Sequence, residues 1–476
     1  LHLPPHPSAI WRFLFSEKCA FHLNPGLDDA NARGALTSKE ITTMKKKFTS
    51  AFFLAAFALF AGTSALYANN PVIGIIDSVS RDSAYYPWHH VKGWACAYGL
   101  PNSIGVHVYA GGPAGVGQYV TSTTANLASD QYVAAACGSN GTAYRFSIAL
   151  DGFLAAHYGK SLYIHGISPN GGPNYLLSNS GSFTFPDGIS ATVFGHLMRI
   201  RTRPAMAGAI TSLTWKGKEF VNSDDHGRNF QMAAQFNGHY ECYNPTEGGS
   251  LSDGGANSPS TSQVTKYTIS APNLFYTNTY AAFWLRPGEG QFAPVWGNCN
   301  SPGKAAVNTT WLSNYIFYKT ITAGHVLQNV IKVYTAVYIP EAVNEAAIES
   351  FVGLMNNADF PKVMLYNIAN GTATVVDPNG QTWVNSPIIL ASNDNQYAFG
   401  IYNRQLIAPN NPTLGVGHFR WNLIPEYGVN AWSSVFNFGA TAGPYSRSFN
   451  NYLVIGTLQD VLNSMATVHN NPSSFP

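Results

Sequence analysis

The sequence predicts an all-β protein, with a small two-sheet sandwich followed by a large one. Three observations carry that reading. Gly, Asn, Ser, Thr and Tyr are abundant, with 44 Gly and 26 Tyr in 476 residues. Apolar residues fall in short alternating runs, the period-2 pattern of strands with one buried face. The 3.6-residue period of an amphipathic helix is nearly absent.

The first recognisable element is Met44-Lys45-Lys46-Lys47 followed by Phe48 to Leu66. A basic start, an apolar stretch from Ala51 to Ala61 and the small residues of Gly62-Thr63-Ser64-Ala65-Leu66-Tyr67-Ala68 are the parts of a secretory signal peptide. Segment 44–68 is expected to be removed after Ala68 or Ala65, with 1–43 an upstream non-native segment. A membrane anchor would need about 20 continuous apolar residues, more than this core offers.

Beyond it, Val106–Tyr109, Tyr144–Ile148, Leu162–His165 and Ile331–Ile339 read as strands. Ser139-Asn140-Gly141, Pro169-Asn170-Gly171-Gly172-Pro173 and Asp377-Pro378-Asn379-Gly380 read as turns. Helix is expected in two places. Glu341 to Met355 has Glu-rich N-terminal turns with apolar Ala346, Ala347, Phe351 and Leu354, and Leu458 to Met465 reads as a short terminal helix. Phe185-Pro186-Asp187-Gly188 marks a boundary, after which Ala191-Thr192-Val193-Phe194 opens a new series of strands. The small module, 71–186, has the size of an immunoglobulin-like sandwich. The large domain spans 187–466, and 467–476 is expected as a flexible tail.

Taking away the first 68 residues removes 7 of 26 Lys and Arg and 4 of 24 Asp and Glu, leaving 19 against 20. Such a chain has no electrostatic footprint for nucleic acid. Every later apolar run is broken within about ten residues, so no membrane span is expected in the mature chain. The product should be secreted or periplasmic. In an oxidising compartment the four remaining cysteines can pair. The wide gap between Cys137 and Cys242 suggests a local bridge on each side of it, Cys96–Cys137 and Cys242–Cys299.

In the small module, Gly93-Trp94-Ala95-Cys96 and the later Ala136-Cys137 resemble small β-sandwich modules of secreted bacterial proteins. Trp94 beside a bridge suits a core position. Tyr85-Tyr86-Pro87-Trp88-His89-His90 offers aromatic faces that could grip sugar rings or pack between domains. The run Gly111-Gly112-Pro113-Ala114-Gly115-Val116-Gly117 lacks the Lys-Ser/Thr of a phosphate cradle and reads as a hairpin loop.

A local excess of ionisable residues in a sparsely charged chain is where chemistry is expected. Glu219, Asp224, Asp225, Glu241, Glu247 and Asp253 lie within one short segment, with His226, Arg228 and His239 among them. Asp224, Asp225, His226, Arg228, Glu241 and Glu247 are the candidate catalytic set. Two carboxylates can divide acid and base work on a glycosidic bond, and Arg or His can steady negative charge there or in an eliminative cleavage. The same residues also suit turn chemistry or a structural Ca²⁺, and no cofactor is expected. His239, Tyr243 and Asn244 accompany them as candidate substrate-binding residues. Phe283-Trp284-Leu285-Arg286 and Gly417-His418-Phe419-Arg420-Trp421 each put Arg beside Trp, so Trp284, Arg286, His418, Arg420 and Trp421 are either groove or core residues.

Gly208-Ala209-Ile210-Thr211-Ser212-Leu213-Thr214-Trp215-Lys216-Gly217-Lys218-Glu219-Phe220 resembles the opening of galactose-mutarotase-like domains. The resemblance implies a β-supersandwich and a carbohydrate ligand, and carries over no catalytic residue. Together these features lead to an exported carbohydrate-active protein that cleaves a poly- or oligosaccharide as a glycoside hydrolase or polysaccharide lyase. The alternatives are a non-catalytic carbohydrate-binding or surface-associated protein, and a sugar epimerase.

Overall fold

The computed structural model describes residues 70–81, 87–255, 257–290, 299, 304–376, 382–407, 418–422 and 428–476, and of 382–383 and 418–422 the backbone alone. The segment read as a signal peptide, Tyr85, Tyr86 and the Asp377–Gly380 turn fall outside these residues.

The protein is all-β. In the first part, Val72–Arg81, His89–Ala97, Ala143–Ala149 and Leu127–Ala128 form a four-stranded sheet. Gln118–Thr124, Gly105–Ala110, Ser161–Gly166 and Tyr175–Leu176 form a second, to which Phe183–Thr184 adds. Alternation places Val91, Ala95, Phe146 and Ile148 of the first and Val106, Val108, Leu162 and Ile164 of the second in the shared core. The 96–137 disulfide sits in its own cluster with buried Val133 and Tyr144, and Trp94 packs against it. Gly111–Gly117 links two strands of the second sheet, as a hairpin loop should.

From Gly188 on, the strands pair only with one another among the described residues. Gly188–Val193, His196–Thr202, Ile210–Trp215 and Lys218–Glu219 make a four-stranded sheet. Lys216 and Gly217, with φ of 48° and 77°, form the two-residue turn that joins its last strands. Trp215 is fully buried and donates from Nε1 to Val193 O at 3.0 Å. This sheet shares a core with a 15-stranded antiparallel sheet through Leu213, Trp215, Phe230, Phe351, Phe399 and Trp432. Each such side chain contributes about 1.5–3 kcal/mol by leaving water.

The helix expected over Glu341–Met355 is not formed. Ala346–Asn356 is a strand between Gln231–Phe236 and Val429–Phe438. Nine of its eleven residues are buried, so apolar side chains are required on both faces, and such a run cannot be told from a helix by its spacing. The terminal helix is present and longer, Leu458–Asn470, started by a capping box between Thr457 and Asp460. Residues 467–476 are not a loose tail in this structure. The Phe475 ring is buried 5.3 Å from that of Tyr452, and Arg404 Nε donates to Phe475 O at 3.0 Å.

Candidate functional site

Strand Lys218–Glu219 releases the chain into the loop that carries most of the ionisable candidates. Asn222 anchors it. Its backbone N–H donates to Leu354 O at 2.9 Å, and Nδ2 donates to Asn356 Oδ1 at 2.7 Å and Asp224 Oδ2 at 3.0 Å. Asp224 is thereby held at the surface, its side chain 73% exposed. Asp225 turns inward instead. One oxygen accepts from Gly227 N at 2.9 Å and the other meets Arg228 Nε at 2.8 Å. Burial pushes the Asp225 carboxyl up to about 6, against the pull of Arg228 and Gly227.

His226 is buried and its Nδ1 lies 2.7 Å from Gly248 O, which fixes Nδ1 as the protonated nitrogen. Gln231 locks the two loops together, donating to His226 O at 3.1 Å and accepting from Gly248 N at 2.7 Å. Glu247 points to the interior, where Lys319 Nζ meets it at 2.5 Å with both side chains fully buried.

Above this support lies an open cleft of about 910 Å³. Its lining includes Asn222, Asp224, Asn257, Ser260 and Asn356 together with Lys160, Asp187, Arg201, Arg203, Ser212 and Glu219. The lining thus carries three cations, Lys160, Arg201 and Arg203, and three carboxylates, Asp187, Glu219 and Asp224. Asp187 is taken by Arg201 at 2.7 Å. Glu219 is saturated by Ser212 Oγ and by the N–H groups of Leu213, Phe220 and Val221 at 2.5–3.0 Å. Asp224 is 3.5 Å from Arg228 Nη1. Among the described residues, no carboxylate pairs with Lys160 or Arg203, so the cleft carries cationic charge not neutralised by an ion pair.

Glu241 and Glu349 form a second constellation. Glu241, on the short 3₁₀ turn Tyr240–Tyr243 beside the 242–299 disulfide, is buried, as is Glu349. Burial and then the Glu349 charge push Glu241 up to about 8, while burial raises Glu349 to about 7. Ser433 Oγ donates to Glu349 Oε2 at 3.2 Å. The Asn244 amide satisfies its surroundings with nitrogen toward Ala234 O at 2.8 Å, Pro245 O at 3.3 Å and Thr246 Oγ1 at 3.2 Å. Its oxygen then faces Glu241 Oε2 at 3.4 Å. Only a protonated Glu241 can donate there, which agrees with its raised pKa.

The remaining candidates scatter around these centres. Trp284 is buried against the 242–299 disulfide, and Arg286 pairs with Asp253 at 3.0 Å while its guanidinium lies 4.2 Å from the Trp311 ring centre. Tyr243 donates to Glu341 at 2.8 Å, and His239 is exposed with its ring 6.5 Å from that of Tyr243. His418, Arg420 and Trp421 lie on strand His418–Asn422, which pairs with Val429–Phe438, the strand of Ser433. No group of three or more His, Cys, Asp or Glu is placed to hold a metal among the described residues.

Glu349, Lys160, Arg201 and Arg203 are absent from the sequence-derived set. Glu349 had a signal, a lone carboxylate inside Ala346-Ala347-Ile348-Glu349-Ser350-Phe351-Val352. Lys160, Arg201 and Arg203 had none, because they come from separate segments that only the fold joins.

No known protein family matches the chain, and no curated protein matches it. Solved structures do. The Slr1438 protein of Synechocystis sp. PCC 6803 is similar at 8% identity and a TM-score of 0.31, over 57% of this chain and 96% of that one. A GH36 alpha-galactosidase, AgaA from Geobacillus stearothermophilus, is similar at 7% identity and a TM-score of 0.30, over 58% of this chain and 41% of that one. A GalM/aldose epimerase homologue from C. elegans is similar at 9% identity and a TM-score of 0.25, over 56% of this chain and 98% of that one.

Proposed function

We propose that this is an exported carbohydrate-active protein whose cleft holds a poly- or oligosaccharide bearing carboxylate groups. One observation carries the reading. Lys160 and Arg203 face an open cleft without carboxylate partners, among the Asn, Ser and Asp side chains that hydrogen-bond sugar hydroxyls. A uronic-acid carboxylate would give Lys160 or Arg203 the ion-pair partner that each lacks among the described residues. Asp224 is the member of the sequence-derived catalytic set that lines the same cleft, while Asp225, His226 and Arg228 support its loop and Glu247 lies in the interior.

Cleavage is a second reading, favoured by the Glu241 and Glu349 carboxyls raised to about 8 and 7. Groups poised near neutrality suit acid and base work. The test incubates the full secreted chain with polygalacturonate, alginate and neutral polymers, following retention and products by mass spectrometry. Retention of an acidic polymer without fragments supports binding. Fragments lost in both Glu241→Gln and Glu349→Gln support cleavage. Indifference to every acidic polymer would overturn the assignment of the cleft.

A further inference from the structure

We propose that the outer face of the small module's second sheet is a separate binding surface for a neutral polysaccharide. The pleat builds it. Val106, Val108, Ala110, Leu162 and Ile164 point to the core, so the alternate residues point away from it. His107 stands opposite His165 and Ser122, and Tyr109 opposite Tyr163 and Tyr119, across three neighbouring strands. The bulge between Val108 and Tyr109 brings Tyr119 into line, with that residue 52% exposed.

These rings form a continuous mosaic. His107 and Tyr119 lie 5.7 Å apart, Tyr109 and Tyr119 5.7 Å apart, and Tyr109 and His165 5.5 Å apart, all edge to face. Such packing fixes ring orientations before any ligand arrives, lowering the entropy lost on binding. Ala114 N donates to His165 Nε2 at 3.1 Å, so Nδ1 of a neutral His165 is left as a donor.

Charge selects the occupant. Strands Gly105–Ala110, Gln118–Thr124 and Ser161–Gly166 contain no Asp, Glu, Lys or Arg. An acidic glycan, nucleic acid or charged peptide would lose hydration here and gain no counter-charge. A neutral sugar chain would stack its apolar ring faces on the tyrosines and offer hydroxyls to the Tyr and His polar atoms. This surface is independent of the cleft and of its charge.

The test is affinity electrophoresis of the full secreted chain through gels containing xylan, mannan, mixed-linkage glucan or polygalacturonate. At least one neutral polymer should retard the protein. Tyr109→Ala/Tyr119→Ala should weaken that retention by about tenfold or more, as loss of paired aromatic anchors does. Arg203→Ala should leave it unchanged, which separates this surface from the cleft. Tyr119→Ser alone, at a half-exposed position, serves if the double variant does not fold. Retention unchanged in the Tyr variants, retention by polygalacturonate alone, or retention by no polymer would each overturn the proposal.

Discussion

Glu247 and Lys319 meet 2.5 Å apart with neither side chain reached by solvent. Each group has a second partner, since Lys319 also donates to Gly208 O at 2.9 Å and Glu247 accepts from Met232 N at 3.1 Å. The pair ties the Gly208 turn and the strand Gln231–Phe236 to the strand Leu312–Ala323. Its position beneath the cleft loops gives it a framework role.

Removing one partner should therefore be far worse than removing both. Lys319→Met leaves an uncompensated buried carboxylate and should cost about 3–5 kcal/mol. Lys319→Met/Glu247→Leu removes both charges and should recover much of the loss. Urea denaturation of the singles and the double closes the cycle. Single variants as stable as the parent would remove this pair from the framework.

Glu241 and Glu349 should make stability fall as pH rises. In the unfolded chain both carboxyls titrate near their ordinary value of about 4.3, whereas the folded chain keeps them protonated up to about 8 and 7. Between these limits the folded state binds more protons, so the unfolding free energy has a negative slope in pH. His157, His325 and His469, held below their ordinary range by burial, give the opposite slope at lower pH. The clean window is therefore about pH 7 to 8, above the unfolded histidine pKa. Glu241→Gln should be more stable than the parent there, and its thermal midpoint should depend less on pH. A parent whose midpoint rises from pH 7 to 8 would contradict the pKa assignment.

The two disulfides close loops of 41 and 57 residues. By loop-closure entropy, each is worth about 4 kcal/mol. Cys96→Ser/Cys137→Ser should lower the thermal midpoint of the small sandwich, whose core is limited in size. The second pair holds the Glu241 turn, so Cys242→Ser/Cys299→Ser should also flatten the pH dependence between pH 7 and 8. An unaltered pH profile would show that the turn holds its carboxyl without the bridge.

Alternation made much of this fold legible. Gly105–Ala110, Ala143–Ala149, Ser161–Gly166 and Val330–Ile339 were all readable as strands because each buries one face or is rich in β-branched residues. Ala346–Asn356 was not, since a central strand covered on both faces has no period to read. The same error hid Glu349, whose carboxylate is meaningful only once the strand is placed near Glu241. Local sequence density found Asp224, Asp225 and Glu241, because those residues lie on two neighbouring loops. Density could not separate the exposed Asp224 from the buried Asp225 and Glu247, a difference set by which way each side chain faces after folding.

The charge balance of the cleft gives the most direct functional prediction. Arg203→Ala and Lys160→Ala each remove a cation that no carboxylate neutralises among the described residues, and neither leaves an unpaired buried group behind. Both should weaken binding of an acidic oligosaccharide by about tenfold, the scale of one charge-assisted hydrogen bond, with little change in stability. Asp224→Asn keeps the hydrogen bond from Asn222 while removing negative charge from the rim, so an acidic ligand should bind equally well or better. Calorimetric titration with oligogalacturonate at low and high salt reads all three. Binding should weaken with salt in the parent and lose part of that dependence in Arg203→Ala. If Asp224→Asn weakens binding as strongly as Arg203→Ala does, Asp224 is recognising hydroxyls, and the cleft is selecting its sugar by hydrogen bonding rather than by charge.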